Sequence, residues 1–117
     1  METKELKLRR GTMNLLNNLL QATGYCEDLK TAYTAGSILV EVLPEAEEMP
    51  KNQLGQFIQG EEQKVWLNYE YTINLTKLQL EVCVKCVEHF ITQKQLAVTT
   101  YTFELMNKLG MKPKVES

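Results

Sequence analysis

The sequence predicts an α+β fold that is mostly helical, with about four helices packed on a small two-stranded sheet. Two short segments alternate apolar and polar residues as strands do, and the segments after them carry apolar residues at helical spacing. A strand-helix-helix pattern also recurs after 67 positions, so that Leu6 and Leu8 correspond to Ile73 and Leu75. The recurrence predicts a pseudo-repeat of a β-α-α unit. The alternative is that two amphipathic helices fall into an apolar register by chance.

The first half of the chain predicts one strand and two helices. Residues 4–10 alternate weakly and form the strand, after which Gly11 and Thr12 turn the chain, with Thr12 as the helix N-cap. Residues 13–23 then form an amphipathic helix whose leucines share one face, with Gly24 as its C-cap. A second helix covers residues 28–43. Its predicted inward face includes small side chains that favour close packing, among them Ala32, Ala35 and Gly36.

The domain organisation follows from a change in composition near the middle. Residues 50–63 are rich in Gly, Gln, Asn and Glu and predict a linker between two halves, residues 1–49 and 64–110. A chain of this length forms one domain, residues 1–117. Its tail, residues 111–117, is expected to be loose.

The second half predicts a strand followed by two helices. Aromatic and β-branched residues alternate with polar ones over residues 65–75, which is typical of a strand. Thr76 and Gln79 match a helix capping box. Residues 78–91 fit either a helix or a hairpin strand, and the capping box favours the helix. A final helix covers residues 98–109.

Composition and charge exclude several classes of protein. The apolar content of 44% and charged content of 24% are ordinary for a soluble domain. The net charge of −2 argues against nucleic-acid binding, which usually requires a basic domain. No apolar run reaches the roughly 18 residues that a membrane span requires, and the polar start lacks a secretory signal. We therefore expect a cytoplasmic protein, without a membrane partner, whose cysteines stay reduced.

Four residues are the candidates for a metal site. Cys83, Cys86 and His89 follow one another at three-residue spacing, and Cys26 could complete a Cys₃His zinc site. Redox chemistry would require a cysteine at a helix N-terminus. Here the pair lies within a predicted helix among valines, a setting in which thiols pack as small hydrophobic groups. The sequence therefore predicts no metal and no cofactor, with a zinc-stabilised interaction module as an alternative.

Enzymatic activity is not predicted. His89 is the only histidine, and the chain contains neither a nucleophile motif nor a glycine-rich phosphate loop. The carboxylates occur in charged runs, which are usually solvated surface.

Aromatic side chains are the first candidates for partner binding. Trp66 falls on the opposite face of the predicted second strand from Tyr69 and Tyr71. An outward tryptophan among polar residues is a favoured contact anchor. The alternative is that another segment of the chain covers Trp66.

Basic side chains near the N-terminus are the second set of candidates for partner binding. Lys4, Lys7, Arg9 and Arg10 form a small patch that could bind phosphate or an acidic partner. The alternative is that these charges protect an exposed strand edge from unwanted pairing.

The first functional hypothesis is a small non-enzymatic protein that acts through protein–protein interaction. Accessory, inhibitory and assembly factors, including those of phages and mobile elements, are of this type. The open edges of a two-stranded sheet and the small core favour a homo-oligomer. The second hypothesis is an oligomer that binds or sequesters a phosphorylated or nucleotide-like small ligand, which requires the basic patch and the tyrosines to meet in one pocket.

Overall fold

The computed structural model describes residues 2–22, 28–44, 49–92 and 99–111. Within these ranges the elements follow in the order β1 (Thr3–Arg9), α1 (Arg10–Ala22), α2 (Leu29–Ser37) with a π-helical extension at Ile38–Val42, α3 (Glu61–Leu67), β2 (Glu70–Thr76), α4 (Lys77–Thr92) and α5 (Thr100–Lys108). β1 and β2 form a two-stranded antiparallel sheet. The predicted α+β, mostly helical fold is confirmed, with five α-helices in the described part instead of four.

The predicted repeat appears in the sheet as approximate two-fold symmetry. β1 and β2 begin and end 67 positions apart, which is the spacing found in the sequence. Leu6 pairs with Ile73, which is also its counterpart in the repeat. An antiparallel pair in which a residue faces its own counterpart has an approximate two-fold axis at that point. Burial also follows the repeat: Leu6 and Leu8 are buried, and so are their counterparts Ile73 and Leu75.

The helices also follow the repeat, and each packs on a helix from the other half. α1 packs against α5 and α2 packs against α4, so the second helix of each half lies on the first helix of the other. The counterparts Leu16 and Cys83 are fully buried, as are Ile38 and Leu105. One core cluster therefore draws on both halves, and each half depends on the other to bury its apolar residues.

Side-chain caps account for where α2 and α4 begin. Asp28 caps α2 by accepting a hydrogen bond from the backbone N–H of Lys30 at 3.0 Å. The predicted capping box precedes α4: Gln79 N donates to Thr76 Oγ1 at 3.2 Å, and Thr76 N donates to Gln79 Oε1 at 2.9 Å. Residues 78–91 are accordingly helical, and the hairpin alternative is wrong.

The end of α5 also agrees with the prediction. The helix begins after its cap at Thr99 and ends before Gly110, whose φ of 76° suits a glycine. The predicted helix cap at Gly24 and the tail 112–117 lie outside the described residues.

The predicted turn at Gly11 and Thr12 is wrong, because α1 begins at Arg10, directly after β1. Thr12 is fully buried within the helix and is not its N-cap. Gly11 is required for packing instead of a turn: a Cβ there would lie 2.6 Å from the ring of Tyr101 on α5. The absence of a side chain allows α5 to approach α1.

The predicted strand over residues 65–75 begins later than expected. It starts at Glu70, and the preceding Glu61–Leu67 segment is helix α3. Gly60 precedes this helix, and Glu61 and Glu62 occupy its first turn, where negative charge interacts favourably with the helix dipole. Trp66 therefore lies on a helix, half-buried, and not on the outer face of a strand.

Candidate partner-binding groove at the Arg10 cluster

Arg10 is a charged residue that is only 9% exposed. Its guanidinium lies over the ring of Trp66, 4.5 Å from the centroid, and 5.1 and 5.5 Å from the centroids of Tyr69 and Tyr71. Such cation–π contacts are attractive, and most strongly so when water is excluded. These four residues form what we call the Arg10 cluster.

Hydrogen bonds fix the orientation of the cluster. Arg10 Nη1 donates to the backbone oxygen of Trp66 at 3.1 Å, while Nε and Nη2 donate to the hydroxyl of Tyr71 at 3.2 and 2.8 Å. The backbone N–H of Arg10 donates to the carbonyl of Tyr69 at 2.8 Å. Arg10 thus joins the start of α1 to the end of α3 and to β2.

Arg9 does not belong to the cluster, although it precedes Arg10 in the chain. Its guanidinium forms an ion pair with Glu104 on α5, lies 5.0 Å from the ring centroid of Tyr101, and donates to Asn68 Oδ1 at 3.0 Å. Burial opposes ionisation of Glu104, but the hydrogen bond and charge of Arg9 prevail and hold the pKa of Glu104 below its ordinary value. Lys7 is exposed on β1 and joins neither group.

An open groove of about 460 Å³ lies beside the cluster, and we call it the Arg10 groove. Val65 and Tyr69 contribute exposed apolar surface to it, with 71% and 58% of their areas accessible. Glu61 and Glu62 are exposed and add negative charge. The lining consists of Arg10, Ile58, Glu61, Glu62, Val65, Trp66 and Tyr69.

Some of the candidate residues named from the sequence lie together in this groove. The sequence prediction named Arg10, Trp66 and Tyr69, which the fold brings together, but it missed Val65 as a groove residue. The reason is that the last residues of α3, 65–67, were predicted as part of a strand, which placed Val65 on the core face. The two glutamates after Gly60 were the available signal for a helix start.

The metal candidates occupy different surroundings. Cys83 and Cys86 are buried in the core, and burial, together with the neighbouring thiol, raises the pKa of Cys83 to about 12. His89 is exposed, with its ring edge-on to Phe90 at 5.3 Å. Within the described ranges no three potential metal-ligating side chains come together. Cys26 lies outside those ranges.

Comparison with known proteins gives no relative. The chain matches no protein-family model, and searches of curated proteins and of solved structures likewise find no match. Among the residues that the structure describes, no helix combines the length and the apolar character needed to cross a membrane.

Proposed function

We propose that this chain is a non-catalytic protein that binds a segment of a protein partner in the Arg10 groove. The observation that supports the proposal is exposed apolar surface on a fixed base. Val65 and Tyr69 extend into solvent, and the contacts of Arg10 with Trp66 hold α3 in place. A preorganised surface of this kind loses little conformational freedom on binding.

The charge beside the groove favours a basic partner segment. Glu61 and Glu62 are exposed at the edge of the apolar surface. Glu61 is paired with Lys64 at 3.5 Å, so Glu62 supplies most of the negative charge available to a partner. Opposite charges across an interface increase the association rate and the specificity of binding. The preferred ligand is therefore a short segment that carries apolar side chains and at least one Lys or Arg.

The same charges argue against the small-ligand alternative. A phosphorylated or nucleotide-like ligand in the groove would meet the carboxylates of Glu61 and Glu62. The donors of Arg10 that would attract it are directed at the Trp66 carbonyl and the Tyr71 hydroxyl.

Selection from a displayed peptide library, with the full chain as bait, tests the proposal. Trp66 is the only tryptophan and lines the groove, so its emission reports occupancy during titration with the selected peptides. We expect basic-apolar peptides with dissociation constants of about 1–100 μM. Val65→Glu should weaken their binding at least tenfold, a loss of about 1.4 kcal/mol.

A matched control separates the groove from general surface effects. Leu54 is 82% exposed but does not line the groove, so Leu54→Glu should leave peptide affinity unchanged. The proposal fails if no peptide is enriched, or if the two variants weaken binding equally.

A further inference from the structure

We infer that the outer face of α2 binds the same face of a second copy of this chain, which produces a two-fold symmetric homodimer. The face consists of Leu29, Tyr33, Gly36 and Val40, which we call the α2 stripe. Leu29, Tyr33 and Val40 are 84%, 81% and 84% exposed. Leu29, Tyr33 and Gly36 are four and three positions apart and return to one side of α2. Val40 follows four positions later in the π-helical extension and is also exposed.

The side of α2 opposite the stripe already packs on the core. Thr31, Ala35 and Ile38 are buried there, and α2 lies against α1 and α4. The sequence prediction had placed Gly36 on this inward side, but Gly36 is only half-buried and lies within the exposed stripe.

Gly36 is the residue that points to a partner. A glycine within a helix is less favourable than alanine, so its presence calls for a reason. Gly36 does not have the positive φ that would favour glycine. A Cβ at this position would meet no atom within 4 Å, whereas a Cβ at Gly11 would meet the Tyr101 ring at 2.6 Å. Packing within the chain explains Gly11, and a notch for a neighbouring molecule explains Gly36.

The order of residues along the stripe matches two-fold symmetry. In an antiparallel helix pair, Leu29 faces the partner's Val40, and Tyr33 faces the partner's Gly36. Each tyrosine then enters the notch at the other copy's glycine, and every contact occurs twice, as a C2 interface requires. A parallel pair in register would instead place Tyr33 against the partner's Tyr33 and leave both notches empty.

Charge favours the same arrangement. Lys30 and Glu41 are exposed near opposite ends of the stripe. Each comes one position after a stripe member, Leu29 or Val40, so both lie on the same flank of the stripe. Antiparallel pairing brings Lys30 near the partner's Glu41, and the two-fold axis repeats this contact. Charge pairs at the rim of an interface select its register.

The internal repeat allows the α2 stripe to be compared with the corresponding positions on α5. The α5 counterparts of Tyr33, Gly36 and Val40 are Thr100, Phe103 and Asn107. The repeat therefore preserves the buried Ile38 and Leu105, whereas Tyr33 and Val40 of the stripe correspond to the polar residues Thr100 and Asn107. Phe103 also shows that this position in the repeat accommodates a large side chain.

Sedimentation equilibrium of the full-length chain tests the inference. We expect a dimer at micromolar concentration, and Tyr33→Lys should raise its dissociation constant at least about 100-fold. The control Phe103→Lys, at an exposed aromatic residue on α5, should leave the dimer intact. Gly36→Leu should also dissociate the dimer, while the melting temperature of the monomer does not fall, because leucine favours a helix and has space there.

Charge reversal tests the antiparallel register separately. Lys30→Glu and Glu41→Lys should each weaken the dimer several-fold, and the double variant should restore it. A wild-type chain that stays monomeric up to about 100 μM, or a dimer that tolerates Tyr33→Lys, would overturn the inference. So would equal dissociation by Phe103→Lys, or failure of the double charge reversal to restore association. Peptide binding in the Arg10 groove uses other residues, so neither proposal depends on the other.

Discussion

Replacing Arg10 with methionine tests whether the Arg10 cluster holds α3 in place. Methionine retains an unbranched apolar stem of similar reach but has neither the charge nor the donors. The variant loses the hydrogen bonds to the Trp66 carbonyl and the Tyr71 hydroxyl, and the contact with the Trp66 ring. We expect α3 to loosen while the sheet and the other helices remain folded.

The magnitude follows from the contacts that disappear. A hydrogen bond to a charged group contributes about 1.5–3 kcal/mol, and a cation–π contact about 0.5–2 kcal/mol. These contributions share one side chain, and the wild-type protein also bears the cost of burying a charge. We therefore expect Arg10→Met to lower the free energy of unfolding by about 2–3 kcal/mol, or the melting temperature by roughly 6–12 °C.

Urea denaturation measures this loss through two signals. Far-UV circular dichroism follows the helices, and the fluorescence of Trp66, the only tryptophan, follows the cluster. Lys7 is exposed on β1, so Lys7→Met is the matched control and should change stability by less than about 0.5 kcal/mol. If Arg10→Met were as mild as this control, the cluster would not hold α3.

A double-mutant cycle isolates one contact within the cluster. Tyr71→Phe removes the hydroxyl that accepts two hydrogen bonds from Arg10 but keeps the ring. If these bonds stabilise the fold, the effects of the two changes should fall short of additivity by at least about 1 kcal/mol. Simple additivity would show that the two side chains act independently.

Three further results are expected. Gly11→Ala should destabilise the protein by about 1–3 kcal/mol in urea denaturation, despite the better helix propensity of alanine, because the new Cβ would meet the Tyr101 ring at 2.6 Å; increased stability would contradict this packing. Arg9 lowers the pKa of Glu104 in the folded state, so the pair should stabilise the fold above about pH 4.5 and lose this effect as the pH falls through the folded-state pKa. Glu104→Gln should make the free energy of unfolding depend less on pH in this range. An unchanged acid-unfolding curve would argue against the pair. Leu105 is fully buried, so Leu105→Asp should abolish the cooperative thermal transition, and a native melting curve would refute its place in the core.

Local patterns explain why much of the fold was predictable. The capping box at Thr76 and Gln79 involves residues three positions apart, so the sequence displays both partners. The alternation that buries Ile73 and Leu75 is likewise visible over a few positions. The 67-residue spacing predicted the repeat, and the repeat accounts for why the same face of each half turns inward.

Helix α3 shows where local patterns fail. Val65 and Leu67 alternate with polar and aromatic residues as strand residues do, and a seven-residue helix is too short for its period to stand out. The contact from Arg10 to the Trp66 carbonyl, which spans 56 positions, is part of what holds this segment. A helix of this length has little stability without such packing.

Most of the elements and their inward faces can be deduced from the sequence, because apolar periodicity and capping depend on residues close together in the chain. The site could not be deduced in the same way. Arg9 and Arg10 are neighbours with the same charge, yet Arg9 pairs with Glu104 and Arg10 with Trp66 and Tyr71. The path of the chain in three dimensions brings these distant partners to each arginine, and a local sequence period carries no information about that path.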